Sequence, residues 1–336
     1  MPRILSYTAS AEDDGRPVRD IIYGVFHLVA HDVARAKYRT AGGIEVNGET
    51  SLVCRKLRPG DVLTVRLDNE LPGKTVPADG PVEILYEDED LICLNKPSGI
   101  VVHPSHGHFG DTLGNYLAAY YLSCGDPHEI RTVGRLDKDT SGVIAFGKSR
   151  TACALLAGQC GIPAAEKEYL ALASGVFRET EGVIEAPISR EYEEKIRRVV
   201  RDDGAYAVTG YRVLRQYDDC ALLRVKIETG RTHQIRVHMA YRGHALLGDP
   251  IYGDDEKEST ADERMPSCSR AMLHAWKLYF KEPFGQEYRT VTAPLPDDLR
   301  RMLRWLAARN CKSNGNDSAT KDAKRPETGA LDSCIK

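Results

Sequence analysis

The chain has 336 residues, of which 42% are apolar and 28% charged, with a formal net charge of −3. That composition fits a soluble protein with room for one large and one small domain. It excludes a membrane protein, because no stretch reaches the ~18 to 20 apolar residues that span a bilayer.

In chain order, residues 1–67 form a first unit. A helix is predicted over Val33–Arg39, carrying Arg35, Lys37 and Arg39, with a weaker one around Ile21–Val29. After the Gly42-Gly43 break, Ile44–Glu49 alternates as a short strand through Asn47-Gly48, a tight-turn signal. Leu57–Asp61 reads as a second turn and Val62–Leu67 as another strand. This order of helix, Ile-Glu-Val-Asn-Gly-Glu and Leu-Arg-Pro-Gly-Asp-Val-Leu-Thr-Val resembles the S4 RNA-binding module. The resemblance implies that Arg35, Lys37 and Arg39 face RNA.

Residues 68–82, with three prolines and two glycines, read as a linker. From 83 to 309 the chain is rich in short strands: 91–96, 142–147, 169–173, 221–227 and 278–280 are the clearest. Helical patterns cover 112–122, 150–159, 232–242 and 297–309. Strands outnumber helices without alternating with them, so the expected class is α+β, a mixed and mainly antiparallel sheet beside a small α+β unit. Residues 310–336 are polar and are expected to be a disordered tail.

Charge and cysteine usage narrow the partners. Three runs carry a local excess of four positive charges: Val33–Leu67, Lys195–Arg215 and Arg224–His244. Such clusters suit a polyanion even where the net charge is negative. The nine cysteines are odd in number and show no Cys-x-x-Cys pair, which fits a reducing compartment and opposes a zinc ribbon or disulfide framework. Glu12-Asp13-Asp14 stands where a signal peptide needs an apolar centre. A cytoplasmic monomer is expected, without membrane contact.

The string Gly134-Arg135-Leu136-Asp137-Lys138-Asp139-Thr140-Ser141-Gly142 carries the chemistry. Asp-x-Asp-x-Ser-Gly also opens a calcium loop, but the twelfth position needs a Glu and holds Lys148. The whole string resembles the signature of the RluA and RsuA pseudouridine synthases. So do Asn95–Pro104, Glu166–Ala171, Thr229–Met239 and Leu246–Gly253, in the family's order. Arg-Thr-His-Gln-Ile-Arg-Val-His and the S4-like unit favour RluA. Gly134 departs from that branch, which commonly has His there, and matches RsuA.

The resemblance implies a reaction and a cast. Uridine becomes pseudouridine when the C1′–N1 bond breaks, the base turns, and C1′ joins C5, with no redox step, cofactor or metal. Asp137 is the implied nucleophile. Arg236 is the implied partner that keeps Asp137 ionised through charge and a bidentate bond. Tyr169 is the implied general base for the C5 proton, given a lowered pKa. Arg135 is implied to fill the gap left by a flipped base, and Arg231 and His233 to contact RNA. Lys96 reads as a brace for the catalytic loop. The expected substrate is structured RNA, ribosomal RNA of the large subunit first and transfer RNA second. A catalytically inactive RNA-binding or ribosome-assembly factor is one rival, opposed by the intact Asp137, Tyr169 and Arg236. A metal-dependent hydrolase built on His103, His106 and His108 is another, opposed by the lack of a completing ligand set.

Overall fold

The computed structural model describes residues 3–38, 40–67, 74–105, 107–158, 165–192, 196–253 and 266–313. The first unit is a four-stranded antiparallel sheet of β1 (Arg3–Thr8), β2 (Ile44–Val46), β3 (Glu49–Thr50) and β4 (Val62–Leu67), in the order β1-β4-β2-β3. Helices α1 (Val18–Gly24) and α2 (Ala30–Tyr38) lie between β1 and β2 in the chain. Asn47 and Gly48 both take positive φ, as a two-residue turn between β2 and β3 requires. Asn47 also accepts the backbone N–H of Val62 at 2.8 Å, which sets the turn against β4. The weaker predicted helix begins and ends earlier than expected, as α1. Strand β1 was not among the predicted elements; Leu5 is its one fully buried residue, so its periodicity is faint. Arg39 lies outside the described residues.

The larger sheet has ten strands: β5 (Ile84–Glu87), β6 (Leu91–Lys96), β7 (Thr132–Val133), β8 (Ser141–Gly147), β9 (Glu166–Ser174), β10 (Glu181–Glu185), β13 (Val208–Gln216), β14 (Cys220–Ile227), β15 (Leu273–Lys281) and β16 (Tyr288–Thr292). Its order is β10-β13-β14-β9-β15-β8-β6-β5, with β16 on β15 and β7 on β8. Every pairing is antiparallel except β15 with β8. Strands β11 (Ile188–Arg190) and β12 (Arg198–Val200) form a separate hairpin. The helices of this part are α3 (Leu113–Ser123), α4 (Arg150–Leu156), α5 (Gln234–Tyr241) and α6 (Asp297–Ser313). The class is α+β, mixed and mainly antiparallel. Helix α6 runs through Ser313, so the first residues of the expected tail are helical; the remainder lies outside the described residues.

Alternation along β9 assigns the two faces. Tyr169, Ala171 and Ala173 pack with Ile235 and Met239 of α5, whereas Leu170 and Leu172 pack against α6. On α6, Leu299, Met302, Leu303 and Leu306 follow the spacing of one helical stripe and are buried. Each contributes about 1.5–3 kcal/mol by area removed from water, an upper figure. The site therefore lies on the α5 face, and α6 seals the other.

The two units touch. Thr151, in the first turn of α4, donates through its backbone N–H and its hydroxyl to the buried carboxylate of Asp32 on α2, at 2.9 and 2.6 Å. Val29 N–H donates to the same Thr151 hydroxyl at 3.1 Å. Arg3 pairs with Glu89, and Phe284 packs against the core of the small unit. Residues 74–83 carry no helix or strand, yet Val76 O and Ala78 N–H bond Asn115 of α3. Among the described residues no helix is long and apolar enough to cross a membrane.

Candidate active site

Asp137 sits in the loop that leads into β8, and the turn after β6 holds that loop. Lys96 is fully buried and its ammonium donates to the carbonyls of Pro97, Ile100 and Lys138, each at 2.8 Å. Three acceptors match its three N–H donors, while burial draws its pKa down to about 7. Gly99 N–H also donates to Lys138 O, and Ser98 hydroxyl to Asp139 O at 2.9 Å. Arg270 reaches Asp139 O from the far side at 3.1 Å. Lys96 is a brace, as expected. Gly142 shows why the string ends in glycine: its φ is +109°, and a Cβ would meet Ala275 O on β15 at 2.1 Å.

The loop forms one wall of a cleft of about 570 Å³. Asp137 and Tyr169 line it together, with Arg135, Arg231, Lys167 and His103 around them. Tyr169 is 4% exposed, on the central strand β9. Burial, and then the negative charge of Asp137, push its phenol above the ordinary value. This is opposite to the lowered pKa that a general base needs, so in this site Tyr169 is a neutral phenol with a flat apolar face.

Arg236 is 3% exposed and does not place its fork on Asp137. Its Nε and Nη2 donate to Asp249 Oδ2 and Oδ1, both at 2.6 Å. The expected bidentate bond thus belongs to Asp249, and the influence on Asp137 is through charge. Burial alone would lower the guanidinium pKa; the bonds and charge of Asp249, with Asp137 adding, raise it. Asp249 Oδ1 also accepts the backbone N–H groups of Ile251 and Tyr252.

Helix α5 is fixed all round. Gln234 donates to Val208 O and Thr209 Oγ1, and His238 bonds Thr209 Oγ1 and Ala186 O. His233, just before the helix, takes a left-handed φ of 57° and contacts the Tyr252 hydroxyl at 3.0 Å. It is buried, and burial lowers its pKa, with Asp137 opposing. His233 is therefore packed against Tyr252, with little of its surface open to solvent. Arg231 is exposed at the cleft and donates to Tyr206 O at 3.0 Å. Arg135 is exposed at the cleft mouth. On α2, Lys37 is exposed, with its ammonium 4.7 Å from the Tyr38 ring centre, and Arg35 is half-buried. His103 borders the cleft, but His108 turns to Asp111 at 2.6 Å; His106 lies outside the described residues. Among the described residues no cluster of three or more His, Cys, Asp or Glu is placed to hold a metal.

Two cations were missed as individual residues. Arg198 on β12 lies within the influence of Arg190, Arg135 and Asp137; burial first and Arg190 next lower its pKa. Its signal was the basic run Lys195–Arg215. Lys167 donates to Val133 O at 3.1 Å and is drawn down to about 8 by burial. A Cβ on Gly134 would lie 3.0 Å from its ammonium. Lys167 was visible only as a neighbour of Tyr169.

Residues 90–241 match the RNA pseudouridylate synthase family. The chain is 36% identical over 264 residues to the uncharacterized RNA pseudouridine synthase YjbO of Bacillus subtilis, covering 78% of this chain and 90% of that one. It is 38% identical over 267 residues to ribosomal large subunit pseudouridine synthase D of Vibrio cholerae, covering 78% and 82%. The protein of that name from Xanthomonas campestris pv. campestris is 35% identical over 271 residues, covering 79% and 82%. In fold, human RNA pseudouridylate synthase domain containing 4 superposes with a TM-score of 0.53 at 24% identity, over 67% of this chain and 93% of that one. The chain belongs to the RNA pseudouridine synthases, of the RluA type that its motifs resemble, and converts uridine in RNA to pseudouridine.

Proposed function

We propose that this enzyme modifies uridines of large-subunit ribosomal RNA, drawing each target base out of its stack and using Asp137 as the nucleophile. One observation carries the reading: Asp137 and Tyr169 share a cleft of about 570 Å³, with Arg135 and Arg231 beside them. A cavity of that size suits a single nucleotide and not a stacked duplex. Arg135 takes the vacated place in the RNA, where a planar cation stacks on bases and pairs with phosphates. The names of the Vibrio and Xanthomonas relatives support ribosomal RNA over transfer RNA.

In this scheme Asp137 bonds the substrate as the C1′–N1 bond breaks, the base turns within the cleft, and that covalent bond is released as C5 joins C1′. The proton that C5 then loses to solvent is balanced by one taken up at N1. Tyr169 supports the turning base as a neutral phenol. Arg236, held by Asp249, supplies a fixed positive charge that favours the carboxylate form of Asp137. Residues 1–67 act as an S4-like RNA-binding domain through Arg35 and Lys37, residues 68–82 connect it, and residues 83–309 form the catalytic domain.

The test is a map of pseudouridine in total RNA from cells with and without the protein, complemented by wild type or by Asp137→Asn. At least one large-subunit uridine is expected to lose its modification and to regain it only with wild type. Restoration by Asp137→Asn refutes the nucleophile, and lost sites confined to transfer RNA refute the substrate.

A further inference from the structure

A second concavity, of about 360 Å³, lies at the opposite end of α5 from the active-site cleft. Gln234 at the start of the helix lines the first cleft, whereas Met239 and Arg242 at its end line the second. Eight residues of helix separate the two by about 12 Å along its axis. Tyr169 lies on β9 and Phe177 three residues beyond the end of that strand, eight residues apart and so at most about 26 Å. Ile184 and Met239 of the second pocket share one core cluster with Tyr169 and Ile235 of the first, so both openings sit on the same sheet face, within reach of one RNA strand.

Aromatic rings make the second pocket. Phe177 stacks on His244 with ring centres 3.9 Å apart and planes 20° from parallel, and Tyr211 meets Phe177 edge-on at 5.5 Å. The arrangement is fixed from behind. His244 Nδ1 donates to Ser174 O at 2.8 Å, which leaves Nε2 as an acceptor when the ring is neutral. Gln216 accepts Phe177 N–H and donates to Gly175 O. Gly175 has a φ of +86°, and a Cβ there would lie 3.1 Å from His244 Nδ1. Buried Ile184 and Met239 complete the lining. At the rim stand Arg178 and Arg242, both exposed, against one acid, Glu179. Among the described residues, neither arginine has an acidic partner within 4 Å.

We propose that this pocket receives an unpaired nucleotide of the RNA substrate, a few positions along the strand from the target uridine. Its rings give a stacking surface for the base, the acceptor Nε2 of His244 suits a base amine, and the two arginines suit the flanking phosphates. The volume falls in the range of about 300–1,000 Å³ typical of small-ligand sites. The proposal rests on RNA as the substrate and is independent of which RNA carries the target.

The test uses the full-length protein and a mixed-sequence, single-stranded 16-nucleotide RNA with 4-thiouridine at several positions. Cross-links are expected in the peptides holding Phe177 and His244 as well as at the active-site cleft. Phe177→Leu, which keeps apolar packing but removes the ring, is expected to weaken binding about 5- to 140-fold, and Phe177→Trp to restore it. Arg242→Gln is expected to lower the slope of log K against log salt by about 0.7. Cross-links only at the cleft, with unchanged affinity in Phe177→Leu, overturn the proposal. A changed salt slope with unchanged affinity in Phe177→Leu overturns it too, leaving a phosphate contact without a base pocket. Asp137→Asn in the same assay keeps both cross-links, so a wrong nucleophile assignment leaves this result intact.

Discussion

Asp249→Asn replaces one oxygen by an amide nitrogen at a carboxylate that receives both arms of Arg236 at 2.6 Å. Both side chains lie almost wholly out of water, with 3% and 0% exposed. Removing one partner of such a buried pair leaves an uncompensated charge and costs about 3–5 kcal/mol. The amide oxygen still accepts Ile251 and Tyr252 N–H, so the low end of that range is expected. Urea unfolding followed by the fluorescence of Trp276 and Trp305 measures it. Activity is expected to fall as well, because Arg236 loses the group that fixes the charge acting on Asp137. A displacement near 1 Å in such a site costs about 100-fold. Release of the C5 hydrogen as tritium from labelled RNA gives the rate. Wild-type unfolding together with activity within about twofold of wild type refutes the reasoning, since the fork then neither stabilises nor positions.

Three other outcomes follow from the same structure. Tyr169 is held neutral by burial and by Asp137, so an ultraviolet difference titration of wild type against Tyr169→Phe shows no ionisation of this phenol below its ordinary value of 10.0; a transition near neutrality returns it to the role of a base. Lys167 titrates at about 8 in the folded chain against about 10.4 unfolded. The unfolded state therefore binds more protons between those values, and stability relative to Lys167→Met rises as pH climbs through about 8 to 10. A difference that stays flat with pH contradicts the burial argument. Asp32→Ala strands the N–H and hydroxyl of Thr151 and is expected to cost about 1–3 kcal/mol. Thr151→Val in the same background adds little if the two act as one contact, and full additivity disproves it.

How far the sequence reached depended on where a residue's partner lies. Strands such as β6 and β8 were legible because burial on both faces writes a continuous apolar run, Leu91–Leu94 in the first and Val143–Phe146 in the second. Strands β10, β12 and β13 were not, because edge position and half-exposure break their pattern with Arg, Glu and Tyr. Asp137 and Tyr169 were found through motif strings, and the fold brings them to one cleft. Asp249 stood in a quoted motif without a role, since nothing along the chain says that a guanidinium 13 residues earlier turns toward it. The burial of His233 was not legible because its left-handed backbone and its contact with the Tyr252 ring leave no mark in residue type. The sign of the Tyr169 shift depended on burial and a neighbouring carboxylate, and both are properties of the assembled site.

Tyr252 joins parts of the site that the chain keeps far apart. Its hydroxyl takes the N–H of Arg198 at 2.8 Å from the β11–β12 hairpin and meets His233 at the foot of α5. Its ring centre is 5.8 Å from the guanidinium of Arg197 and 5.2 Å from that of Arg236. The hairpin is therefore a riveted bracket and not a free flap: the start of β12, beside the turn, shares one phenol with the helix that carries Arg236. Changes in its outward side chains leave that rivet intact. A change that moves the start of β12 moves the ring beside Arg236, and with it the charge that acts on Asp137.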